Sequence, residues 1–200
     1  MIRNIIFDFG DIFINLDKGV VTRELDNVSD TRQLRELYSL NQAFEIGDIS
    51  ANEFLLGLQR VLPHTRSHDL RFLWNSMLLD FPEHRLNFLV KLAESDKYRL
   101  FLLSNTNEIH IAEVVHKMGA SRYDQFKNCF EGFYLSHEIG MYKPTKEIFE
   151  YVLQKHGLEA EKTLFVDDTY ENIAVAGSLG LHTWHLLVGR EDITQLNSRL

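Results

Sequence analysis

The sequence contains a single cysteine, no long apolar run and no excess of basic residues, and each absence excludes a class of protein. Cys129 has no partner for a disulfide within the chain, so a small disulfide-stapled extracellular scaffold is excluded. No stretch approaches the roughly 20 apolar residues of a membrane-spanning helix, and Asp8 interrupts the apolar start too early for a signal peptide. We therefore expect a cytoplasmic, reduced protein with no membrane partner.

The charge balance argues against nucleic acid as a partner. The chain carries 21 Lys and Arg against 29 Asp and Glu, a formal net charge of −8 at pH 7, and no basic stripe stands out. An acidic protein binds phosphate only through a local positive device, such as a metal ion, a lysine or helix N-termini. With 200 residues and 44% hydrophobic content, the chain is long enough for one domain with or without a modest insertion, as a monomer or homodimer.

Short apolar runs separated by helical patterns predict an α/β fold built on a parallel sheet. Continuous apolar runs suit strands that are covered on both faces. The helical spacing of apolar residues between the runs predicts crossover helices. The predicted strands are 5–7, 100–103, 163–166, 183–187 and, more weakly, 133–135, and the helices between them are 107–118, 146–156 and 171–179.

The segment from about residue 18 to residue 81 differs, because it contains no convincing strand. It shows three helical patterns, at 34–40, 50–61 and 69–79, and Ser50 and Glu53 form a capping box at the start of the second. A helical block of this length exceeds a simple crossover. We therefore predict a Rossmann-like core formed by 1–16 and 82–200, with 17–81 as an inserted α-helical cap. The turn at 44–48 either faces the site or simply connects two cap helices.

Polar residues follow the predicted strands, at the end of the sheet where open parallel sheets bind ligands. Three carboxylates cannot crowd together unpaired, and a hard divalent cation with oxygen ligands would neutralise them, which favours Mg²⁺. The cation and a lysine would offset the charge of a phosphoryl group, and a hydroxyl and helix N–H groups would bind its oxygens. The residues are Asp8, Ser104, Asn105, Lys143, Asp167 and Asp168.

Four motifs occur in order along the chain, and each lies at the end of a strand or in the loop that follows it. They are Phe7-Asp8-Phe9-Gly10-Asp11, Leu103-Ser104-Asn105, Gly140-Met141-Tyr142-Lys143-Pro144, and Phe165-Val166-Asp167-Asp168 followed by Asn172. Together they resemble the haloacid dehalogenase superfamily, in its helical-cap, phosphatase-like branch, over nearly the whole chain. The resemblance implies a Mg²⁺-dependent phosphatase that hydrolyses a small phosphorylated metabolite through an aspartyl-phosphate intermediate.

The resemblance also implies which residues hold the metal. Asp8 would attack phosphorus with one carboxylate oxygen and bind Mg²⁺ with the other. The backbone carbonyl of Gly10 and the carboxylate of Asp168 would be further ligands. Asp167 would bind the metal through water or act as the partner of Asp168, and Asn172 would support the metal site from behind the ligands.

The remaining implied roles concern the phosphate. Ser104 and the N–H group of Asn105 would hold phosphate oxygens. Lys143 would bridge Asp8 and the phosphate, so that it belongs both to the catalytic and to the phosphate-binding residues.

The first motif departs from its most familiar form, which has an aspartate two residues after the nucleophile to protonate the leaving oxygen. Here that position is Gly10, and an acid follows one residue later at Asp11. On an extended segment Asp11 would point to the other face, which favours a turn or cap role for it. The glycine also resembles a branch that includes α-D-glucose-1-phosphate phosphatase. A substrate with a good leaving group, such as a hexose 1-phosphate, is therefore favoured.

Two alternatives to a phosphatase stay open at this point. A non-catalytic or regulatory binding protein with a decayed site would explain Gly10, although Asp8, Ser104 and Lys143 are retained. A 2-haloacid dehalogenase would use Asp8 on carbon without a metal, and the adjacent acids at 167 and 168 argue against it. A phosphotransferase or mutase depends on the acid that is missing at position 10, and is disfavoured.

Overall fold

The centre of the protein is a five-stranded parallel sheet with the strand order β3-β2-β1-β4-β5. The computed structural model describes residues 1–20, 23 and 31–200. The strands are β1 (Asn4–Phe7), β2 (Arg99–Ser104), β3 (Gly132–Leu135), β4 (Thr163–Asp167) and β5 (His182–His185). All five predicted strands are present. The prediction for β5 runs two residues too far, because the N–H group of Leu187 bonds to the side chain of Glu191 at 2.8 Å instead of continuing the sheet.

Both faces of the sheet are apolar, because successive strand residues point to opposite sides. In the central strand β1, Ile5 and Phe7 belong to one buried cluster and Ile6 to the other. All four residues of β1 are buried. Since β1 lies in the middle of the sheet, the residue that follows it, Asp8, emerges at the centre of the sheet's carboxyl end.

Nine α-helices have both of their ends within the described residues, and most of them pack on the faces of the sheet. One apolar cluster includes α4, α5 and α6, and the other includes α8 and α9. None of the helices within residues 1–20, 23 and 31–200 has the length and apolar character to cross a bilayer. The helices are α1 (Thr31–Glu45), α2 (Ala51–Val61), α3 (Ser67–Asn75), α4 (Glu83–Glu94), α5 (Glu108–Met118), α6 (Ala120–Lys127), α7 (Ser136–Ile139), α8 (Lys146–His156) and α9 (Tyr170–Ser178).

Helices α1, α2 and α3 share an apolar cluster of their own. The rings of Phe44 and Phe54 stack with centroids 4.3 Å apart, and Phe54 lies 4.7 Å from Trp74. Ile109 of α5 completes this cluster, which fixes the three helices over the carboxyl end of β2. The predicted capping box is confirmed, since the Ser50 N–H group donates to Glu53 Oε2 at 2.8 Å and Ser50 Oγ accepts from the Glu53 N–H group.

The chain leaves the sheet region and returns to it through two segments that pair with each other. The N–H group of Asn15 donates to the Asp80 carbonyl and that of Leu79 to the Asn15 carbonyl, both at 2.9 Å. The N–H group of Asp17 donates to the Met77 carbonyl at 2.8 Å. The prediction of a helix over 69–79 is therefore wrong at its end: α3 stops at Asn75, because the backbone beyond it is used in this pairing.

The predicted division into a core and a cap places its boundaries at these crossings. We propose on this basis that residues 17–81 form the cap, and 1–16 with 82–200 the core. Residues 21–22 and 24–30, which the prediction assigns to the cap, lie outside the described residues.

Candidate active site

The carboxyl end of the sheet brings together charged residues that are far apart in the sequence. Asp8 follows β1, Asp167 ends β4, and Lys143 lies in the loop after α7. The ammonium group of Lys143 lies 2.7 Å from Asp8 Oδ1 and 2.7 Å from Asp167 Oδ2. The side chains of Lys143 and Asp167 are 1% and 0% exposed. A lysine buried this deeply between two carboxylates forms the floor of a site.

Asn105 fixes the position of Lys143. Its amide group donates to the Lys143 carbonyl at 2.8 Å and accepts from the Lys143 N–H group at 2.8 Å. These paired bonds hold the backbone of the loop against the end of β2. Burial lowers the pKa of Lys143, but the charges of Asp167 and Asp8 and their hydrogen bonds raise it by more. The pKa of Lys143 is therefore raised overall, and its ammonium group stays charged.

Asp8, Asp167 and Asp168 form a cluster of carboxylates. One oxygen of each lies within 4.8 Å of the others. Burial raises the pKa of Asp8 to about 7; the charge of Lys143 opposes this shift, and Asp167 and Asp168 add to it. The crowding of negative charge beyond what one lysine neutralises, together with ligands that are all oxygen, fits a hard divalent cation.

The two adjacent acids have different surroundings. Both oxygens of Asp167 are engaged, since Oδ1 accepts from the Thr169 N–H group at 2.8 Å and Oδ2 accepts from Asn172 Nδ2 at 2.9 Å and from Lys143. Asp168 faces the cleft, and Lys18 is its ion-pair partner. This difference favours Asp168 as a direct metal ligand and Asp167 as a residue that positions Lys143 and Asn172.

A cleft of about 390 Å³ opens over these groups. Six of the predicted site residues line it, whereas the buried Asp167 does not, and Ser104 is 2% exposed at the end of β2, with Oγ 3.4 Å from the Asn105 carbonyl. Ser104 therefore adjoins the cleft without forming part of its wall. The lining residues include Asp8, Gly10, Asn105, Lys143, Asp168 and Asn172.

The space next to Gly10 is already filled. A Cβ atom at residue 10 would lie 2.7 Å from Cδ1 of Leu16 and 3.8 Å from Oδ2 of Asp8. A longer acid at this position would need the end of the Leu16 side chain to move. Because Cδ1 is the free end of a flexible side chain, a small shift of Leu16 would make that room.

Asp11 does not lie on an extended segment, and this premise of the sequence analysis is wrong. Its φ angle is +55°, in the left-handed region that aspartate tolerates in turns. The N–H group of Asp11 donates to the Ile14 carbonyl at 2.7 Å, and its Oδ1 accepts from the Leu16 N–H group at 3.0 Å. The expected turn role is confirmed, and Asp11 Oδ2 also contacts the ammonium group of Lys18, which lines the cleft.

Lys18 is the residue of the site that the sequence did not reveal. Its ammonium group lies 3.0 Å from Asp11 Oδ2 and forms an ion pair with Asp168, and its side chain lines the cleft. It lies at no strand end and in no motif. The available signal is the tight turn that begins at Asp11, which brings the residues after it back beside the nucleophile.

Comparison with known proteins extends the resemblance seen in the motifs to the whole chain. The family model for haloacid dehalogenase-like hydrolases matches residues 3–180. The chain is 28% identical to a D-ribitol-5-phosphate phosphatase of Bacteroides thetaiotaomicron over 195 residues, which cover 92% of this chain and 91% of that protein. A crystal structure of a haloacid dehalogenase family enzyme from the same organism matches with a TM-score of 0.85 and 33% identity, over 98% of each chain. An aspartate-to-alanine variant of that enzyme, in complex with magnesium and inorganic phosphate, matches with a TM-score of 0.82 and 31% identity, over 98% of this chain and 99% of that one.

Proposed function

The chain belongs to the haloacid dehalogenase-like hydrolase family, and from this premise we propose that it removes phosphate from a small phosphorylated sugar or sugar alcohol. The family and the hydrolase class predicted from the sequence are confirmed. The observation that carries the proposal is the contact of Lys143 with both Asp8 and Asp167 inside a cluster of three carboxylates. Such an arrangement suits a nucleophilic carboxylate that must accept a dianionic ester.

The cofactor is Mg²⁺, in agreement with the sequence, because the acidic cluster fits a hard cation and the related enzyme was solved with magnesium and phosphate. We propose that Asp8, the carbonyl of Gly10 and Asp168 hold the ion, with Asp167 and Asn172 behind them. When bound, Mg²⁺ would neutralise carboxylate charge and polarise the phosphoryl group.

The chemistry proposed for the chain has two steps. A carboxylate oxygen of Asp8 attacks phosphorus, the bond from phosphorus to the ester oxygen breaks, and an aspartyl-phosphate forms. Water then attacks phosphorus, and the bond to Asp8 breaks to release phosphate. Lys143 opposes the upward shift of the Asp8 pKa and orients the carboxylate through its 2.7 Å contact, and Asn105 holds Lys143 in place.

The relative's name narrows the substrate class. D-Ribitol 5-phosphate is the phosphate ester of a primary alcohol in a small polyhydroxylated molecule, and we propose a substrate of this class. The hexose 1-phosphate favoured by the leaving-group argument stays a prediction. The two differ in the leaving group, because a primary alkoxide departs less readily than an anomeric oxygen.

The geometry disfavours the two alternatives. A dehalogenase needs no metal, yet two further carboxylates, Asp167 and Asp168, converge beside the nucleophile. A decayed binding protein has no need of a fully buried lysine between the nucleophile and Asp167.

The test is phosphate release from a panel that contains ribitol 5-phosphate, other alditol phosphates, hexose 1-phosphates and hexose 6-phosphates. Each substrate is assayed with Mg²⁺ and with EDTA, for the wild type and for Asp8→Asn. We expect release that requires Mg²⁺, disappears in Asp8→Asn and is fastest for one member of the alditol group.

Two results would contradict the proposal. Halide release from 2-chloropropionate in EDTA would establish a dehalogenase. Absence of phosphate release from the whole panel by a folded protein that binds Mg²⁺ in calorimetry would favour a binding protein. A preference for hexose 1-phosphates would keep the phosphatase and change the substrate class.

A further inference from the structure

Two lysines pair with the acids of the site, and they differ in what they can reach. Lys143 has a side-chain exposure of 1%, so its ammonium group stays between Asp8 and Asp167. Lys18 has a side-chain exposure of 50% and lines the cleft. Lys18 is therefore the lysine of the cleft wall that can contact the part of a substrate lying beyond the phosphorus atom.

The position of Lys18 does not depend on Asp168 alone. Asp11 holds the ammonium group from the opposite side at 3.0 Å. Asp11 is 6% exposed, and its other oxygen accepts from the Leu16 N–H group at 3.0 Å, so its carboxylate is itself fixed by the turn. The segment that runs from Asp11 to Lys18 therefore positions the ammonium group of Lys18 beside the nucleophile.

The ammonium group of Lys18 lies near the place where a leaving group would depart. Asp168, the ion-pair partner of Lys18, has a carboxylate oxygen within 4.8 Å of a carboxylate oxygen of Asp8. A nucleophile attacks from about 3–3.5 Å, and the ester oxygen lies on the far side of phosphorus in an in-line reaction. The ester oxygen therefore lies on the side of phosphorus away from Asp8, toward the cleft whose wall includes Lys18 and Gly10.

Gly10 leaves that oxygen without an acid. The ester oxygen of a primary alcohol develops substantial negative charge as its bond to phosphorus breaks, and enzymes stabilise such charge with a proton donor or a fixed cation. Leu16 fills the space where a side chain at residue 10 would lie. Any stabilisation of the leaving oxygen by a side chain therefore comes from elsewhere in the chain.

We propose that Lys18 is a catalytic residue that donates a hydrogen bond from its ammonium group to the ester oxygen in the step that forms the aspartyl-phosphate. The inference rests on the proposed phosphatase function. The electron pair of the breaking bond goes to the ester oxygen, Lys18 stabilises the charge there, and the oxygen takes its proton from water. Lys18 keeps its own proton and its contact with Asp11 throughout.

The experiment compares leaving groups. The wild type, Lys18→Met and Lys18→Arg are assayed with a series of aryl phosphates whose phenols span several pKa units, and with ribitol 5-phosphate. Lys162→Met is the matched control, because Lys162 precedes β4 at the opposite end of the sheet and pairs with Glu159. Mg²⁺ affinity of each variant is measured by calorimetry.

We expect kcat/KM of Lys18→Met to fall by about 10²-fold for the poorest leaving groups and by less than about threefold for nitrophenyl phosphate. The dependence of rate on phenol pKa therefore becomes steeper. Lys18→Arg retains most of the wild-type slope, and Lys162→Met matches the wild type. Asp11→Asn, which loosens the placement of Lys18, gives an intermediate slope.

Four outcomes would overturn the inference. An equal loss for every leaving group would mean that Lys18 binds the phosphate itself. An unchanged slope with tighter Mg²⁺ binding would mean that Lys18 only competes with the metal for Asp168. Wild-type inactivity toward every ester would remove the proposed function and this inference together, whereas normal wild-type turnover with an unchanged slope would remove the inference alone.

Discussion

The two ends of the sheet hold charged side chains in opposite environments, exposed and paired at the amino end and buried and clustered at the carboxyl end. At the amino end, Arg99 forms two hydrogen bonds with Glu131, at 2.6 and 2.8 Å, and both side chains are more than 40% exposed. His156 adds a third partner beside Glu131 at 3.3 Å. At the carboxyl end, three carboxylates converge with little exposure, and burial, reinforced by the neighbouring acids, raises the pKa of Asp8 to about 7.

The difference separates structural pairing from a functional site. At the amino end the hydrogen bond from Arg99 lowers the pKa of Glu131, so the folded state favours the ionised form of this carboxylate. At the carboxyl end the folded state without metal resists ionisation of Asp8, the group that must be ionised to attack phosphorus. A site of this kind reduces stability until its ligands arrive.

The largest effect is expected for Asp8→Asn. Phosphate release should fall by at least about 10³-fold, because the nucleophile is lost. The same change should raise the melting temperature of the protein in EDTA at pH 8. The pKa of Asp8 is about 7 in the folded protein against an ordinary value of 3.8, so its ionisation removes stability as the pH rises from about 4 to about 7.

Thermal unfolding in EDTA at pH 5 and pH 8 checks this expectation, with Asp124→Asn as an exposed control on α6. An Asp8→Asn protein that is less stable than the wild type at pH 8 would mean that Asp8 contributes to folding as an ordinary ion-pair partner.

The next largest effect is expected for Lys143→Met. Removal of the lysine leaves Asp8 and Asp167 without their shared cation, and breaking a buried pair costs about 3–5 kcal/mol. Activity should fall by about 10²-fold or more, since Asp8 loses its orienting partner. Adding Asp167→Asn to Lys143→Met should restore part of the stability without restoring activity. Urea unfolding and phosphate release measure the two effects separately, and recovery of both together would contradict the assignment.

A smaller effect is expected at His110, which joins α5 to α3. Its Nε2 lies 3.1 Å from the Trp74 carbonyl and its Nδ1 lies 3.2 Å from Asn107 Nδ2, so the neutral ring is the form that fits. Burial lowers the pKa of His110 to about 4. The folded state therefore binds fewer protons than the unfolded state, and stability is lost as the pH falls from about 6.5 toward 4, by at most about 1.4 kcal/mol per pH unit.

His110→Phe removes this titration and leaves the Trp74 carbonyl unpaired. We expect a loss of about 1–3 kcal/mol at pH 7 and a flatter dependence of stability on pH than in the wild type. Denaturant unfolding at pH 5 and pH 7 is the measurement. Parallel pH profiles of the two proteins would show that folding does not shift the pKa of His110.

The smallest effect is expected at the amino end itself. Arg99→Met should cost less than about 1 kcal/mol, because the pair with Glu131 is exposed and screened by salt. Its kcat/KM should stay within about twofold of the wild type, since Arg99 lies at the opposite end of β2 from the site. A large loss of activity in this variant would mean that the two ends of the sheet are coupled.

The sequence predicted the parts of the site that follow from strand positions. Asp8, Asp167 and Asp168 lie where buried apolar runs end, and parallel strands bring such ends together. Lys143 was found through its motif. Their convergence into one cleft depends on the order of the strands in the sheet. Apolar runs predict that a parallel sheet forms, but they do not predict this order.

The sequence did not predict features that depend on the backbone of distant segments. Lys18 contacts Asp168 because Asp11 adopts a left-handed conformation, which turns the following residues back toward the site. The presence of an aspartate in a sequence does not predict that conformation. The predicted end of α3 was wrong for a similar reason. Apolar spacing continues through residue 79, but the backbone there bonds to 15–17.

The pairing of 15–17 with 77–80 has a consequence for how this family of sequences can change. The two crossings are held together largely by main-chain atoms, with one further bond from Asn15 Nδ2 to Asp80 Oδ1 at 3.0 Å, so the main-chain part of the join requires only the absence of proline at its donors. Helices between the crossings can be lengthened, replaced or redesigned while the join keeps Asp8 and the other residues at the strand ends where they are. An exchange of these helices between relatives, made beyond Lys18 so that this residue is retained, is then a practical route to new substrates.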